Sequence, residues 1–466
     1  MSDAYSTEDL QIARREVRAE LGRSLEAKAT DAFCISFHIR RRHPAPAFQE
    51  TMGLPEPVAP PTSRIPSILG FKDALISGPS VGVEAEWMVR PAREVLIKEA
   101  RERAYASMAS VYAEVDRQSH SSISSLPEEL RSSAAPITEL CWLNRTIRTW
   151  GEPEVIAEVA GDEAVAHVDV ARRIMPDASQ PNHVAIGHPA PDWVASDATG
   201  HGVIVAVIDS EVRVDHPAFQ RRIAPRFNYT AEPWGTPDAH GTAVAGIIGA
   251  NHPDCMGLAP EVAIYNYKVM TTNRQLNGFN FEGAHALQTA VEDGADVINC
   301  SWGTGPVPTD GLSDEAKAVA NAAGFGVCVV KSAGNRGPGT GSLTSPAEAV
   351  EAIVVGASNV DGTAVEIYSS RGPAGGRKGP DTVAPGGSSE KTILCCLPNG
   401  GFGNAGFGTS YAASHATGVL ALLCQAAPSM SLQDLRDIIT SGSVLLDGFG
   451  PEAQGSGLLR VDSVSR

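Results

Sequence analysis

A serine, a histidine and an aspartate, each at the end of a regular element, are the residues of this chain best suited to chemistry. Ser410 follows the glycine-rich turn Gly406-Phe407-Gly408-Thr409 and precedes the apolar run Val419-Leu420-Ala421-Leu422-Leu423. That order predicts a buried helix with the serine at its N-terminus, where backbone N–H groups and the positive end of the helix dipole favour an oxyanion. A plain helix cap uses the same residue types. His240 opens His240-Gly241-Thr242-Ala243-Val244-Ala245-Gly246, a helix of small residues able to pack closely. The dipole there disfavours imidazolium and keeps the ring available as a base. Asp209 ends the apolar run Val203-Ile204-Val205-Ala206-Val207-Ile208, which fits a parallel strand buried on both faces. Open α/β sheets place their sites at such strand ends. Singly, Asp209 can be a turn cap and His240 a structural histidine. Together the three supply a nucleophile, a base and an orienting acid, the set that makes a serine hydroxyl attack a carbonyl.

The rest of the chain must position these groups. Residues 6–28 carry apolar residues at a spacing near 3.6, and 33–39 reads as a strand followed by Arg40-Arg41-Arg42, a solvated edge more than a nucleic-acid patch. Prolines over 44–66 predict a linker or surface loop. Residues 91–119 return to helical periodicity through Val95, Leu96, Ala100, Ala104, Met108, Val111, Tyr112 and Val115, and the serines of 119–125 break it. Then come a strand over 137–147, a short helix over 153–160 and a strand over 164–170.

With 42% apolar residues in 466, the chain can bury a large core and hold two domains. A net charge of −17 argues against nucleic acid or an anionic membrane as the main partner. The acidic, polar N-terminus has no export-signal pattern, and no apolar run reaches the 18 residues of a spanning helix, so the expected compartment is the cytoplasm. Eight scattered cysteines without a C-x-x-C pair predict buried thiols; no metal or other cofactor is expected.

Asp209 in Val-Ile-Asp-Ser, His240 in His-Gly-Thr-Ala-Val-Ala-Gly and Ser410 in Gly-Thr-Ser-Tyr-Ala-Ala-Ser-His resemble the three catalytic motifs of the subtilisin-like (subtilase) serine proteases, in that family's chain order. The resemblance spans roughly 181–466. It implies a fold class of α/β: a subtilisin-like three-layer domain with a mainly parallel central sheet, preceded by an α+β prodomain-like region. The expected divisions are 1–175 for the N-terminal region, 176–195 for a linker with the processing bond, and 196–466 for the catalytic domain. The resemblance further implies that Asn335, in Ala333-Gly334-Asn335, donates to the oxyanion, although Gly-Asn is also an ordinary turn pair. It implies a channel for extended substrate between Leu276-Asn277-Gly278 on one side and Ser301-Trp302-Gly303 on the other, with Ala333 and Gly334 nearby. Trp302 either fills the first pocket or packs in the core.

Three departures from the family pattern stand out. Glu211 replaces a usual glycine and would place an acid near the site, favouring basic substrates. Ala243 replaces a common histidine. Ser414 replaces a common proline and would loosen or retune the serine turn. The implied activity is peptide-bond hydrolysis on protein or peptide substrates, with the chain's own N-terminal region as inhibitor. Transamidation, or peptide binding without catalysis, uses the same residues.

Overall fold

The computed structural model describes residues 33–39, 82–121, 138–151, 165–170, 174–176, 185–186, 198–274, 277–307 and 313–460. The expected helices over 6–28 and 153–160 and the linker over 44–66 lie outside them. The chain divides into two compact units, one taking residues 1–55 and 98–172, the other 56–97 and 173–466.

The first unit holds a four-stranded antiparallel sheet of β1 (Phe33–Ile39), β2 (Glu139–Cys141), β3 (Thr146–Gly151) and β4 (Val165–Val170), in the order β2-β3-β1-β4. Helix α1 (Gly82–Ser121) enters this unit at Lys98. Ala104, Met108, Val111 and Val115 are buried at alternating four- and three-residue steps, as one helix face requires, while Val95 is exposed. The Tyr112 hydroxyl ties the helix to the Thr138 carbonyl at 3.1 Å. The single strand expected over 137–147 is instead a hairpin. Residues 142–145 turn, with Arg145 at φ 60°, and β2 and β3 pair across that turn.

The second unit begins with two short strands, β5 (Met175–Pro176) and β6 (Ala185–Ile186). Its centre is a seven-stranded sheet, parallel throughout, in which β7 (Ile204–Asp209) lies between β11 (Ala263–Lys268) and β12 (Val297–Cys300). Beyond β11 lies β8 (Ile223–Asn228); beyond β12 lie β14 (Cys328–Ser332), β15 (Ile353–Ser358) and β16 (Thr382–Pro385). A small hairpin joins β9 (Asn251–His252) to β10 (Cys255–Met256). The two-residue β13 (Trp302–Gly303) pairs with β5, and β17 (Thr392–Cys396) pairs with β18 (Phe402–Asn404) and β6.

Parallel strands need crossovers, and helices α2 (Ala239–Gly249), α3 (Asn280–Glu292), α4 (Asp314–Gly324) and α5 (Thr409–Ala426) cover the sheet in a three-layer α/β arrangement. Val205 and Val207 join the core formed with α2 and α5, including Val244, Ile248, Ala416 and Leu420. Two further helices, α6 (Leu432–Ser441) and α7 (Pro451–Gln454), close the second unit. Among the described residues no helix is long and apolar enough to cross a membrane.

Candidate active site

Asp209, the last residue of β7, is fully buried. Its Oδ1 accepts three bonds: from the Ser210 backbone N–H at 2.7 Å, the Ser210 hydroxyl at 3.1 Å and His240 Nδ1 at 2.8 Å. Acceptance by a carboxylate fixes the tautomer, so His240 carries its proton on Nδ1 and presents a bare Nε2. His240 is held from behind by Asp238, which caps α2 through the His240 N–H at 2.9 Å and accepts from the Ser210 hydroxyl at 3.0 Å and Arg274 at 2.9 Å. Gly241 permits this approach. A Cβ on it would fall 2.4 Å from the Ser210 carbonyl oxygen.

Ser410 lies in the first turn of α5, buried, with Gly408 as the cap residue. Its hydroxyl donates to the Ser301 carbonyl at 2.9 Å, and His240 Nε2 has no hydrogen-bond partner among the described residues. The imidazole stands over the next residue, with ring centroids of His240 and Tyr411 6.0 Å apart. The Ser410 carbonyl accepts from the Ser301 hydroxyl at 3.0 Å and the Ser414 hydroxyl at 2.9 Å. Ser414 thus bonds back to the first turn of α5, an i−4 bond that tends to bend a helix, in line with a retuned turn. Tyr411 braces the same turn by donating to the Ala405 carbonyl at 2.7 Å; burial holds its phenol well above the usual range, so it stays neutral.

Asn335 lies beside that turn. Its Oδ1 accepts from the Thr409 N–H at 3.0 Å and the Thr409 hydroxyl at 2.9 Å, which orients the amide with its oxygen toward Thr409 and its NH2 end the other way. The Thr409 hydroxyl also accepts from the Gly334 N–H at 3.2 Å. Gly334 sits at φ 108°, and a Cβ there would meet Thr344 at 2.6 Å. The loop thus requires glycine twice over, for its backbone angle and for its neighbour. Ala333 is pinned on both sides, donating to Val355 and accepting from Thr344.

Between the two predicted channel sides lies a stretch of the chain itself. β5 runs antiparallel to β13, with Met175 opposite Gly303 and Pro176 opposite Trp302. The Ile174 N–H donates to the Gly278 carbonyl at 2.8 Å, and Asn277 Nδ2 donates to the Ile174 carbonyl at 2.7 Å. Residues 174–176 therefore complete a strand between 277–278 and 302–303, the geometry by which a peptide is bound through its main chain. Ile174 is fully buried. Gly283 makes room for it, since a Cβ there would fall 2.6 Å from Trp302 Cη2 and 3.1 Å from Ile174 Cδ1.

Asp209, His240, Ser410, Asn335, Asn277, Gly278, Ser301, Trp302, Gly303, Ala333 and Gly334 thus fall around one centre, and Leu276 lies outside the described residues. Trp302 is fully buried against Gly283 and beside Ile174, so it walls the Ile174 pocket. Glu211 differs from expectation. Its carboxylate is buried, accepting from the Gly235 and Thr236 N–H groups at 2.8 and 3.1 Å and pairing with Lys268 at 3.0 Å. It faces inward to Lys268, which also pairs with Glu232 at 2.9 Å, and so offers no acid to a basic substrate. Reading the sequence missed Thr409, Asp238 and the Ile174–Pro176 strand. Asp238, two residues before His240 at a helix start, carried a readable capping signal. Cys300, beside Ser301, is an inert thiol that burial pushes up to about 12.

Comparison with known proteins agrees with this geometry. Residues 200–457, more than half of the chain, match the model of the subtilase family, Peptidase_S8. The intracellular serine protease of Paenibacillus polymyxa is 33% identical over 286 residues, covering 58% of this chain and 82% of that protein. The major intracellular serine protease of Bacillus subtilis is 36% identical over 250 residues, or 50% and 72% of the two chains. Among solved structures, sphericase aligns with a TM-score of 0.50 at 26% identity, covering 58% of this chain and 94% of its own. A family match of this extent identifies the chain as a member of the subtilase family and a subtilisin-like serine endopeptidase.

Proposed function

We propose that the chain hydrolyses peptide bonds of protein or peptide substrates through Ser410 as nucleophile, His240 as general base then acid, and Asp209 as the group that orients the imidazole and stabilises its charged form. His240 Nε2 takes the serine proton as Oγ attacks the carbonyl, then gives it to the leaving amine; water resolves the acyl-enzyme. The Asn335 amide and the Ser410 N–H donate to the oxyanion. The observation that carries this reading is the 2.8 Å bond from His240 Nδ1 to a buried Asp209, which leaves Nε2 as the basic end of the ring. For this transfer the Ser410 hydroxyl must leave the Ser301 carbonyl for that nitrogen, a change of rotamer.

The N-terminal region restrains the enzyme: residues 174–176 lie on the strand pairing that a substrate needs, which supports inhibition by occupancy. Boundaries near 175 and 196 follow from this division of labour. Relatives named intracellular serine proteases support a cytoplasmic site of action. Labelling with a fluorophosphonate tests the chemistry. We expect one adduct on Ser410 in the wild type and none in Ser410→Ala or His240→Ala; equal labelling of His240→Ala would contradict the assigned base.

A further inference from the structure

Resting on the acyl-transfer reading above, we infer that Glu211 and Lys268 are positioning residues of this enzyme: their buried ion pair fixes the loop that leads to His240 against the turn that follows Asp209, and so sets the hydrogen bond between histidine and aspartate.

Asp209 and His240 come from different elements and must meet at 2.8 Å. Misplacing a reacting group by about 1 Å can cost ~10²-fold in rate. Glu211 lies just past Asp209 and reaches across to the run that enters α2. Its carbonyl accepts from the Asp238 N–H at 2.9 Å, while its carboxylate accepts from the Gly235 and Thr236 N–H groups at 2.8 and 3.1 Å. Asp238 carries the position onward by capping the His240 N–H at 2.9 Å. A glycine at 211, usual in the family pattern, would keep the carbonyl bond and lose both carboxylate bonds.

Strand β11 supplies the opposite charge. Lys268 stands opposite Asp209 in the parallel register and is fully buried. Its ammonium donates to Glu211 at 3.0 Å, the Thr236 hydroxyl at 2.9 Å and the Pro233 carbonyl at 3.0 Å, and pairs with Glu232 at 2.9 Å. All these partners lie on the turn after Asp209 or the loop before His240. The Trp234 ring covers the same ammonium, its centroid 5.8 Å from Nζ. On the same face of β11, Asn266 accepts from the Val212 N–H at 3.0 Å and donates to the Val207 and Ser210 carbonyls at 3.3 and 3.1 Å. The strand therefore grips the backbone on both sides of Asp209.

Glu232 extends the tie toward the substrate edge. It accepts from the Thr272 N–H at 3.3 Å and from the Thr272 hydroxyl, and the neighbouring Thr271 N–H donates to Asn277 Oδ1 at 2.8 Å. Burial pulls the Glu232 carboxyl up, but bonds from Thr272, Lys268 and Thr236 outweigh it and hold its pKa at about 2, so it stays charged. Replacing a buried ion pair by packed apolar residues is often neutral or stabilising. What this pair adds is the place where it holds its partners.

The test uses the full chain as wild type, Glu211→Gln and Lys268→Met, with active sites counted by fluorophosphonate labelling run to completion. Peptide hydrolysis gives kcat per labelled site and KM, and proton NMR follows the His240 Nδ1 hydrogen. In both variants kcat per site should fall at least about tenfold with KM within about twofold of wild type, and the Nδ1 signal should shift or broaden. Should either variant fail to fold, Thr236→Val, which removes only the hydroxyl that meets Lys268, should lower kcat about threefold, and Thr236→Ser should restore it. Variants that lose stability yet keep the wild-type kcat per site and an unmoved Nδ1 signal, or that change KM alone, overturn this inference alone. A wild type that takes no label on Ser410 overturns the catalytic reading, and this inference with it.

Discussion

At Ser410 the hydroxyl bonds to Ser301, and His240 holds through Asp209 the tautomer that the proposed mechanism uses. In the proposed mechanism the aspartate contributes orientation and charge, so Asp209→Asn should leave the fold intact while lowering kcat by about 10⁴, because the ring then presents the wrong nitrogen. Stopped-assay kinetics beside a thermal melt would check both halves of that statement. Asn335→Ala removes a donor without touching the core and should lower kcat by about 10²–10³. A near-normal kcat would assign the asparagine to the Thr409 turn alone. Glu211 differs in its effect on stability. Being committed to Lys268 and two backbone N–H groups, Glu211→Gln should lower stability and leave the ratio of acidic to basic substrates unchanged in cleavage profiling.

The elements position these residues at their termini: Asp209 ends β7, while His240 and Ser410 lie in the first turns of α2 and α5. Gly241→Ala tests the closeness of their approach: a methyl 2.4 Å from the Ser210 carbonyl forces α2 and its histidine outward, so activity should fall more than the melting temperature does. A second element responds to pH. His216 caps the turn at Pro217–Phe219 by accepting the Ala218 N–H on Nδ1, while Nε2 donates to the Gly401 carbonyl at 2.9 Å. Burial lowers its pKa from 6.5, so the fold prefers the neutral ring. Its stabilisation is present above the unfolded value and is lost as pH falls through the lower folded value. Melting temperature should therefore decline from pH 7 toward pH 5, and His216→Asn should flatten that decline.

The elements legible in the sequence were those with one strong period or one strong motif: β7 from its unbroken aliphatic run, α1 from its spacing, α2 and α5 from small or apolar residues after a cap. The hairpin over 139–151 was hidden because its turn lacks glycine and proline. The Glu211–Lys268 pair joins residues far apart in the chain, and the substrate-like strand at 174–176 is too short for periodicity. No local pattern announces either.

Across the second unit, one buried core joins the sheet to α2 and α5, so side-chain precision at the site depends on packing far from it. Leu420→Ala, in the body of α5 and fully buried, should cost about 2–5 kcal/mol in denaturant unfolding. On the proposed mechanism this whole assembly serves to make Ser410 an acylated nucleophile. The most direct measurement is intact-mass analysis during turnover of an activated ester, with peptide mapping of the adduct. The account predicts a burst of one product equivalent and one acyl group on Ser410, both absent in Ser410→Ala. An acyl group mapped elsewhere, or a burst that survives in Ser410→Ala, would contradict it.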